Sequence, residues 1–174
     1  KNDKEFPGGM RWSWKNNNSP STAQAGVFTY TSVARYQDGS TSEDTGSGSD
    51  GRVTLKVKPI KPTITANDVV HKKGLTITVN VGTGVKGGST VTLYDGNNVI
   101  GTGTTTGTTA RITVTGALTG NPITAETTVN NNGIVKSDRS DSVTPTEAPD
   151  NQAPTVKMTN PTDGNKVSVL TSNE

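Results

Sequence analysis

The stretch Leu75-Thr76-Ile77-Thr78-Val79-Asn80-Val81 decides the fold class of this chain. Apolar side chains occupy every second position, and polar side chains fill the positions between them. A period of two places the apolar groups on one face of an extended strand, which is typical of a strand half-buried in a β-sheet. No segment shows a sustained helical period, so we predict an all-β protein.

The same kind of pattern recurs on both sides of this stretch. Between two of the strands, Asp95-Gly96-Asn97-Asn98 supplies residues that accept positive φ and predicts a tight hairpin. Short strands with turn signals at this spacing predict an immunoglobulin-like β-sandwich. The predicted strands cover residues 63–66, 75–81, 90–95, 98–103, 110–115, 123–129 and 134–143.

Two proline-bearing joints bracket this sandwich. They are Val57-Lys58-Pro59-Ile60-Lys61-Pro62 and Val143-Thr144-Pro145-Thr146-Glu147-Ala148-Pro149. Each proline fixes φ and favours extended geometry in the preceding residue, so both joints are expected to be stiff connectors. We therefore predict tandem modules joined by short linkers: residues 1–58, residues 59–149, and residues 150–174 as the truncated beginning of a third.

The first module is less regular than the second. Strands are predicted only over residues 10–15, 27–36 and 52–58, so this module can be incomplete at its start. Residues 41–51 are rich in Ser, Gly and Asp and are predicted to form a long mobile loop.

Composition agrees with small modules rather than with one large domain. Of the 174 residues, 28% are hydrophobic and 18% are charged, with 20 Gly and 9 Pro. So little apolar material makes one large core marginal, whereas a small sandwich needs only a few apolar residues per strand. A mean hydropathy of -0.58 leaves disorder as the competing interpretation. The low net charge and the β-branched alternation argue against disorder.

Charge and targeting signals restrict the possible partners. The net charge is +2, and the 17 basic and 15 acidic residues are mixed along the chain. Phosphate recognition needs clustered Lys and Arg, so we expect no nucleic-acid partner. No apolar run approaches a membrane span, and no signal peptide or lipidation motif is present, so we expect no membrane insertion.

The sequence offers little for catalysis. Cysteine is absent, which excludes disulfides and thiolate sites, and His71 is the single histidine. The usual nucleophile and base pairs cannot be assembled from these residues, and no carboxylate pair stands out. We predict a protein that is not an enzyme and that uses no cofactor.

Two groups of residues are candidates for binding. Asp44 and Asp50 could supply oxygen ligands to calcium, but their spacing matches no calcium loop, and a solvated loop is the alternative. Trp12 and Trp14 share one face of a strand, where they either form an aromatic platform for a partner or pack in a core. The sequence pattern identifies no particular ligand.

Parts of both modules resemble known families. The run Pro7-Gly8-Gly9-Met10-Arg11-Trp12-Ser13-Trp14-Lys15, followed by Ser21-Thr22-Ala23-Gln24-Ala25-Gly26 and Tyr36-Gln37-Asp38-Gly39-Ser40, resembles the second half of a Rib/alpha-like repeat. Met10 and Gln37 depart from that pattern, in which Thr and Pro are common. The run Gly88-Ser89-Thr90-Val91-Thr92-Leu93-Tyr94-Asp95-Gly96 is similar to bacterial Ig-like modules.

This combination resembles Gram-positive wall-anchored adhesins, among them giant extracellular-matrix-binding proteins. The resemblance implies a non-enzymatic stalk or spacer, extracellular and anchored to the cell wall outside this sequence, and monomeric in a tandem array. The alternative is an adhesive module that binds a host extracellular-matrix protein or glycan. A third interpretation is an accessory module of a secreted enzyme or a phage structural protein.

Some adhesins of this kind contain an internal Lys–Asn isopeptide bond beside a buried carboxylate. A trio drawn from Lys56, Lys58 or Lys136, from Asn80 or Asn130, and from Glu126 would be needed here. No sequence signature selects one trio, and exposed lysines are the alternative.

Overall fold

The protein is built almost entirely from β-strands. The computed structural model describes residues 5–6, 10–42, 51–71 and 74–147. Helical structure in these ranges is limited to two 3-10 turns, Lys15–Asn17 and Ala66–Asp68, so the all-β prediction is confirmed. The strands are β1 (Glu5–Phe6), β2 (Met10–Trp14), β3 (Gly26–Arg35), β4 (Thr41–Ser42), β5 (Arg52–Val57), β6 (Thr63–Ile64), β7 (Leu75–Asn80), β8 (Thr90–Asp95), β9 (Asn98–Thr106), β10 (Thr109–Val114), β11 (Ile123–Asn130) and β12 (Ile134–Lys136).

The first five strands form one sheet around β3. The second half of β3 pairs with β2 and β4, and the first half of β3 pairs with β5. Residues 41–51 were predicted as one loop, which is wrong at its start, because Thr41 and Ser42 form β4. Gly51 lies in a turn before β5, and its carbonyl accepts a hydrogen bond of 2.6 Å from the amide of Ser32. Residues 43–50 lie outside the described part of the chain.

The remaining strands form a sandwich-like arrangement with the order β12-β11-β8-β9-β10-β7-β6. The alternation in β7 is confirmed, because Leu75, Ile77 and Val79 are buried while Thr76 and Asn80 are exposed. These side chains share one core with the inward residues of β8, β10 and β11. The core of the sandwich therefore consists of two thin apolar faces that pack against each other, as expected from the low apolar content.

The hairpin predicted at residues 95–98 is confirmed. Strand β8 ends at Asp95, β9 begins at Asn98, and these two residues pair across the turn. Gly96 in the turn has a φ of 59°, a value that glycine adopts at low cost.

The strand predicted over residues 134–143 is wrong in its second half, because β12 ends at Lys136. Beyond it the chain stays beside β11, where serine side chains replace ladder carbonyls. The hydroxyl of Ser137 accepts the amide of Thr127 at 2.9 Å, and the hydroxyl of Ser140 accepts the amide of Ala125 at 2.9 Å. The serines satisfy the backbone of β11 without regular strand geometry.

The division into modules at residues 58 and 149 remains a prediction. The two sheets lie on either side of the first joint, and the number of tandem modules is not shown by them. The predicted third module, residues 150–174, lies outside the described residues.

Candidate functional site: the junction between the two sheets

A set of backbone and side-chain hydrogen bonds joins the first sheet to the sandwich. The amide of Ala25 donates to the carbonyl of Gly84 at 2.8 Å, and the amide of Val27 donates to the carbonyl of Asn131 at 2.9 Å. The Asn131 side chain returns a hydrogen bond of 3.2 Å from Nδ2 to the carbonyl of Ala25. We call residues 25–27, 82–85 and 129–135 the junction.

Glycines allow the two backbones to approach at the junction. Gly84 has a φ of +77°, and a Cβ atom built on it would lie 2.5 Å from the carbonyl oxygen of Ala23. Gly133 has a φ of +145°, and its Cβ would lie 2.7 Å from Cγ2 of Val27. Any other residue at these positions would strain the backbone and push the two sheets apart.

A small apolar cluster closes the same contact. Ala25, Val129 and Val135 are buried, and the partly buried side chains of Val27 and Val85 pack against them. The cluster combines side chains of both sheets, so the contact excludes water as well as pairing polar groups.

The linker after β5 is held along the side of the sandwich. Pro59 and Pro62 are buried. Lys58 Nζ lies 2.8 Å from Asp138 Oδ1, and Lys61 forms the equivalent ion pair with Asp141. The prolines, lysines and aspartates each recur at a spacing of three, which is the period of an extended polyproline-type chain.

These ion pairs remain open to solvent. The side chains of Lys58 and Asp138 are 63% and 78% exposed. The hydrogen bond from Lys58, together with its charge, lowers the pKa of Asp138 below its ordinary value. Exposed pairs contribute little to equilibrium stability, so the buried Pro59 and Pro62 supply most of the hold on the linker.

The calcium site suggested by the sequence stays a prediction. Asp44 and Asp50 lie outside the described residues. Asp38 caps an exposed turn, where its carboxylate accepts the amide of Ser40 at 2.9 Å and its hydroxyl at 2.6 Å, and these bonds lower the pKa of Asp38. Within the described ranges, no three His, Asp or Glu side chains are grouped so that they could hold a metal ion.

The tryptophans have different surroundings. Trp14 contacts Tyr30 edge-on, with ring centroids 6.2 Å apart, so it packs within the first sheet. Trp12 is 37% exposed and Tyr36 is 42% exposed. Trp12 pairs with Ala34 across β2 and β3, and Tyr36 follows Ala34 by two residues, so both exposed rings lie on the same face of the sheet.

The residues considered for an isopeptide bond have other partners. Lys136 Nζ lies 2.9 Å from Glu126 Oε1, and the Lys136 side chain is 57% exposed. The side chain of Asn80 accepts the amide of Gly82 at 2.8 Å. These contacts favour the interpretation of exposed lysines in ordinary ion pairs.

Sequence reasoning missed the junction. It found the linker prolines but not the docking of residues 25–27 onto residues 84 and 131. The repeats Lys-Pro-Ile-Lys-Pro from residue 58 and Ser-Asp-Arg-Ser-Asp from residue 137 share a period of three, which is a signal for the linker ion pairs and not for the junction.

No protein-family model matches the chain, so the Rib/alpha-like and bacterial Ig-like assignments stay predictions. The chain is similar to a solved structure named "Biofilm associated protein - BSP domain", with 31% sequence identity and a TM-score of 0.41. The match covers 74% of this chain and 20% of that one. At this TM-score the structural overlap supports no conclusion about arrangement. In the described residues, no helix has the length and apolar character needed to cross a membrane.

Proposed function

We propose that this chain is a non-enzymatic spacer segment of a bacterial cell-surface adhesin, in which the junction keeps consecutive modules at a fixed angle. One observation carries the proposal: residues 25–27 of the first sheet bond to Gly84 and to Asn131 of the sandwich at once. Two loops that are distant in sequence thereby hold one short segment. A single contact would act as a pivot, whereas contacts at two loops oppose rotation.

The linker supports the same conclusion from the other side of the junction. A free connector of a few residues would let the modules turn against each other. Here two buried prolines and two ion pairs keep the linker beside residues 138–141 of the sandwich. A segment restrained in this way transmits orientation from one module to the next, which is what a spacer needs.

The sequence resemblance supports a cell-surface location. The name of the similar solved structure, a biofilm associated protein, is compatible with that location. The wall anchor, the Gram-positive source and the Rib-like module belong to this proposal as well.

The distance between the modules tests the spacer function. The chain has no cysteine, so Thr54→Cys and Thr113→Cys provide unique, exposed positions for spin labels on β5 and β10. A fixed junction gives one narrow distance distribution by pulsed electron paramagnetic resonance. A distribution as broad as that of a flexible linker would overturn the proposal. A second pair of labels within the sandwich, at the exposed Thr90 on β8 and Thr113 on β10, which are not strand partners, shows the width caused by the labels alone.

A second candidate function is adhesion through the first sheet. The observation that favours it is the pair of exposed rings, Trp12 and Tyr36, on one face of β2 and β3. Flat aromatic rings stack on the apolar faces of sugars, so a glycan is the ligand class that this face fits best. A spacer and an adhesive face are compatible in one chain, because the rings lie outside the junction.

A further inference from the structure

The two ends of the sandwich run side by side in the same direction. We call residues 58–71 the entry segment and residues 138–146 the exit segment. Lys58 pairs with Asp138, and Lys61 pairs with Asp141. Further along, Val70 forms a parallel bridge with Thr146. Residue numbers increase together in all three contacts, so the two segments run in the same direction where they meet.

Backbone hydrogen bonds strengthen the far end of this contact. The amide of His71 donates to the carbonyl of Thr146 at 2.8 Å, and the amide of Thr146 donates to the carbonyl of Val69 at 3.1 Å. The exit segment is also fixed to the core, because Val143 and Ile123 exchange hydrogen bonds of 2.9 Å and 2.8 Å. The entry and exit segments are therefore joined directly to each other and to the sandwich.

This direction matters when the chain is pulled from its ends. In a parallel pair, the start of the entry segment and the end of the exit segment lie at opposite ends of the contact. Tension along the chain then slides one segment past the other and loads all the contacts together. If the segments were antiparallel, the same tension would open the contacts one at a time.

We propose that the entry and exit segments form a shear clamp that keeps the sandwich folded under tension along the chain. This inference rests on the proposed spacer function, since a spacer on a cell surface transmits force between its ends. The exposed ion pairs add little at equilibrium, but they break in the same step as the backbone bonds when the segments slide. The clamp thus slows forced unfolding more than it raises equilibrium stability.

The absence of cysteine allows two pulling directions to be compared on the full chain. Lys56→Cys with Glu147→Cys attaches handles at exposed residues on opposite ends of the clamp, so force shears it. Thr76→Cys with Glu147→Cys attaches both handles near the same end, so force peels it. Single-molecule force spectroscopy is expected to give a clearly higher unfolding force for the first pair. An equal or lower force for the first pair would overturn the clamp.

The sandwich is recognised in these traces by the length that it releases. An unfolded chain extends by about 3.5 Å per residue, so the two handle pairs give different and known increments. Unfolding of the first sheet does not release the lengths expected for the sandwich, because almost all of the first sheet lies outside the chain between the two handles.

Single substitutions separate the clamp from general stability. Thr146→Pro removes the amide that donates to Val69 and is expected to lower the shear force and to raise the unfolding rate without force about fivefold. Lys136→Gln is the control for a lost ion pair, because the pair of Lys136 with the half-buried Glu126 lies outside the clamp. If Thr146→Pro does not fold, the double substitution Asp138→Asn and Asp141→Asn provides the same test at exposed positions.

An unchanged shear force in the clamp variants would also overturn the inference. The clamp lies within the sandwich, whereas the spacer function depends on the junction. A broad distance distribution between modules with a high shear force would leave the clamp and remove the spacer. A narrow distance distribution with equal unfolding forces in the two pulling directions would leave the spacer function and remove the clamp.

Discussion

Gly133 lies so close to Val27 that a Cβ atom built on the glycine would be 2.7 Å from Cγ2 of the valine. Val27 belongs to the first sheet, and Gly133 belongs to the turn between β11 and β12 of the sandwich. The closeness of this pair makes the junction sensitive to one added methyl group.

Gly133→Ala is expected to broaden the distance distribution between labels on Thr54 and Thr113. The added methyl group forces Val27 away, and the positive φ costs about 1–3 kcal/mol in a residue with a side chain. The matched control is Gly107→Ala, since Gly107 also has a positive φ of +60° but nothing within 4 Å of its added Cβ. Both variants are expected to lose stability, and only Gly133→Ala is expected to broaden the distribution. The same broadening in the control would show that backbone strain, and not contact, governs the junction.

Ser137→Ala is expected to destabilise the sandwich by about 1–3 kcal/mol, because it leaves the buried amide of Thr127 without an acceptor. Thermal unfolding followed by circular dichroism measures this loss as a lower Tm. Ser142→Ala is the control, since Ser142 is exposed and lies in the same segment. If both variants melt at the temperature of the parent protein, the serine hydroxyls do not replace the ladder carbonyls.

Local patterns predicted most of the sandwich, because alternation and turn chemistry act over a few residues. Strand β8 and the hairpin at Asp95 were found in this way. The end of β12 was not, since Ser137 and Ser140 keep the chain beside β11 by side-chain bonds that leave no period of two.

The junction was beyond sequence reasoning for a different reason. Ala25 and Asn131 are 106 residues apart, and their contact depends on how two separately folded sheets meet. No local pattern contains that information. The exposure of Trp12 depends likewise on which neighbours cover one face of a sheet, so its alternation with Trp14 could not separate a core role from a surface role.

Stability at low pH is expected to depend on Asp95. This side chain is 4% exposed, and its Oδ2 accepts the hydroxyl of Thr119 at 2.6 Å. That hydrogen bond lowers the pKa of Asp95 below the ordinary value of 3.8, although burial acts in the opposite direction. A carboxyl with a lowered pKa stabilises the fold above its ordinary pKa, and the stabilisation is lost as the pH falls through the lowered value.

Asp95→Asn is therefore expected to reduce the free energy of unfolding by about 1–3 kcal/mol at neutral pH and by less below about pH 4. Urea unfolding of both proteins at several pH values measures the difference. Asp38 and Asp138 titrate in both proteins, so their contributions cancel in the comparison. A difference that stays constant from neutral to acid pH would contradict the role given to the Asp95 charge.

Lys58→Gln is expected to raise the pKa of Asp138 toward its ordinary value of 3.8, because the hydrogen bond from Lys58 is the largest cause of its lowering. Carboxyl carbon chemical shifts followed through an acid titration measure this pKa directly. Lys136→Gln serves as the control, since Lys136 pairs with Glu126 and not with Asp138. An unchanged Asp138 titration in Lys58→Gln would mean that the linker is not held against the exit segment in solution.

The adhesive candidate predicts that the exposed rings of the first sheet bind sugars. We expect the chain to bind a subset of a glycan array, and the double substitution Trp12→Ala and Tyr36→Ala to weaken that binding about tenfold or more, since the loss of two apolar contact surfaces costs at least about 1.4 kcal/mol.

Val99→Ala is the control for that substitution. Val99 is 59% exposed but lies on the sandwich, so its loss removes apolar surface far from the rings in sequence and leaves the first sheet intact. Trp14 and its contact with Tyr30 remain in every variant and report folding through tryptophan fluorescence. If the parent protein binds no glycan, or if the ring variant binds as tightly as Val99→Ala, the exposed aromatic face has no adhesive role and the spacer function alone accounts for the structure.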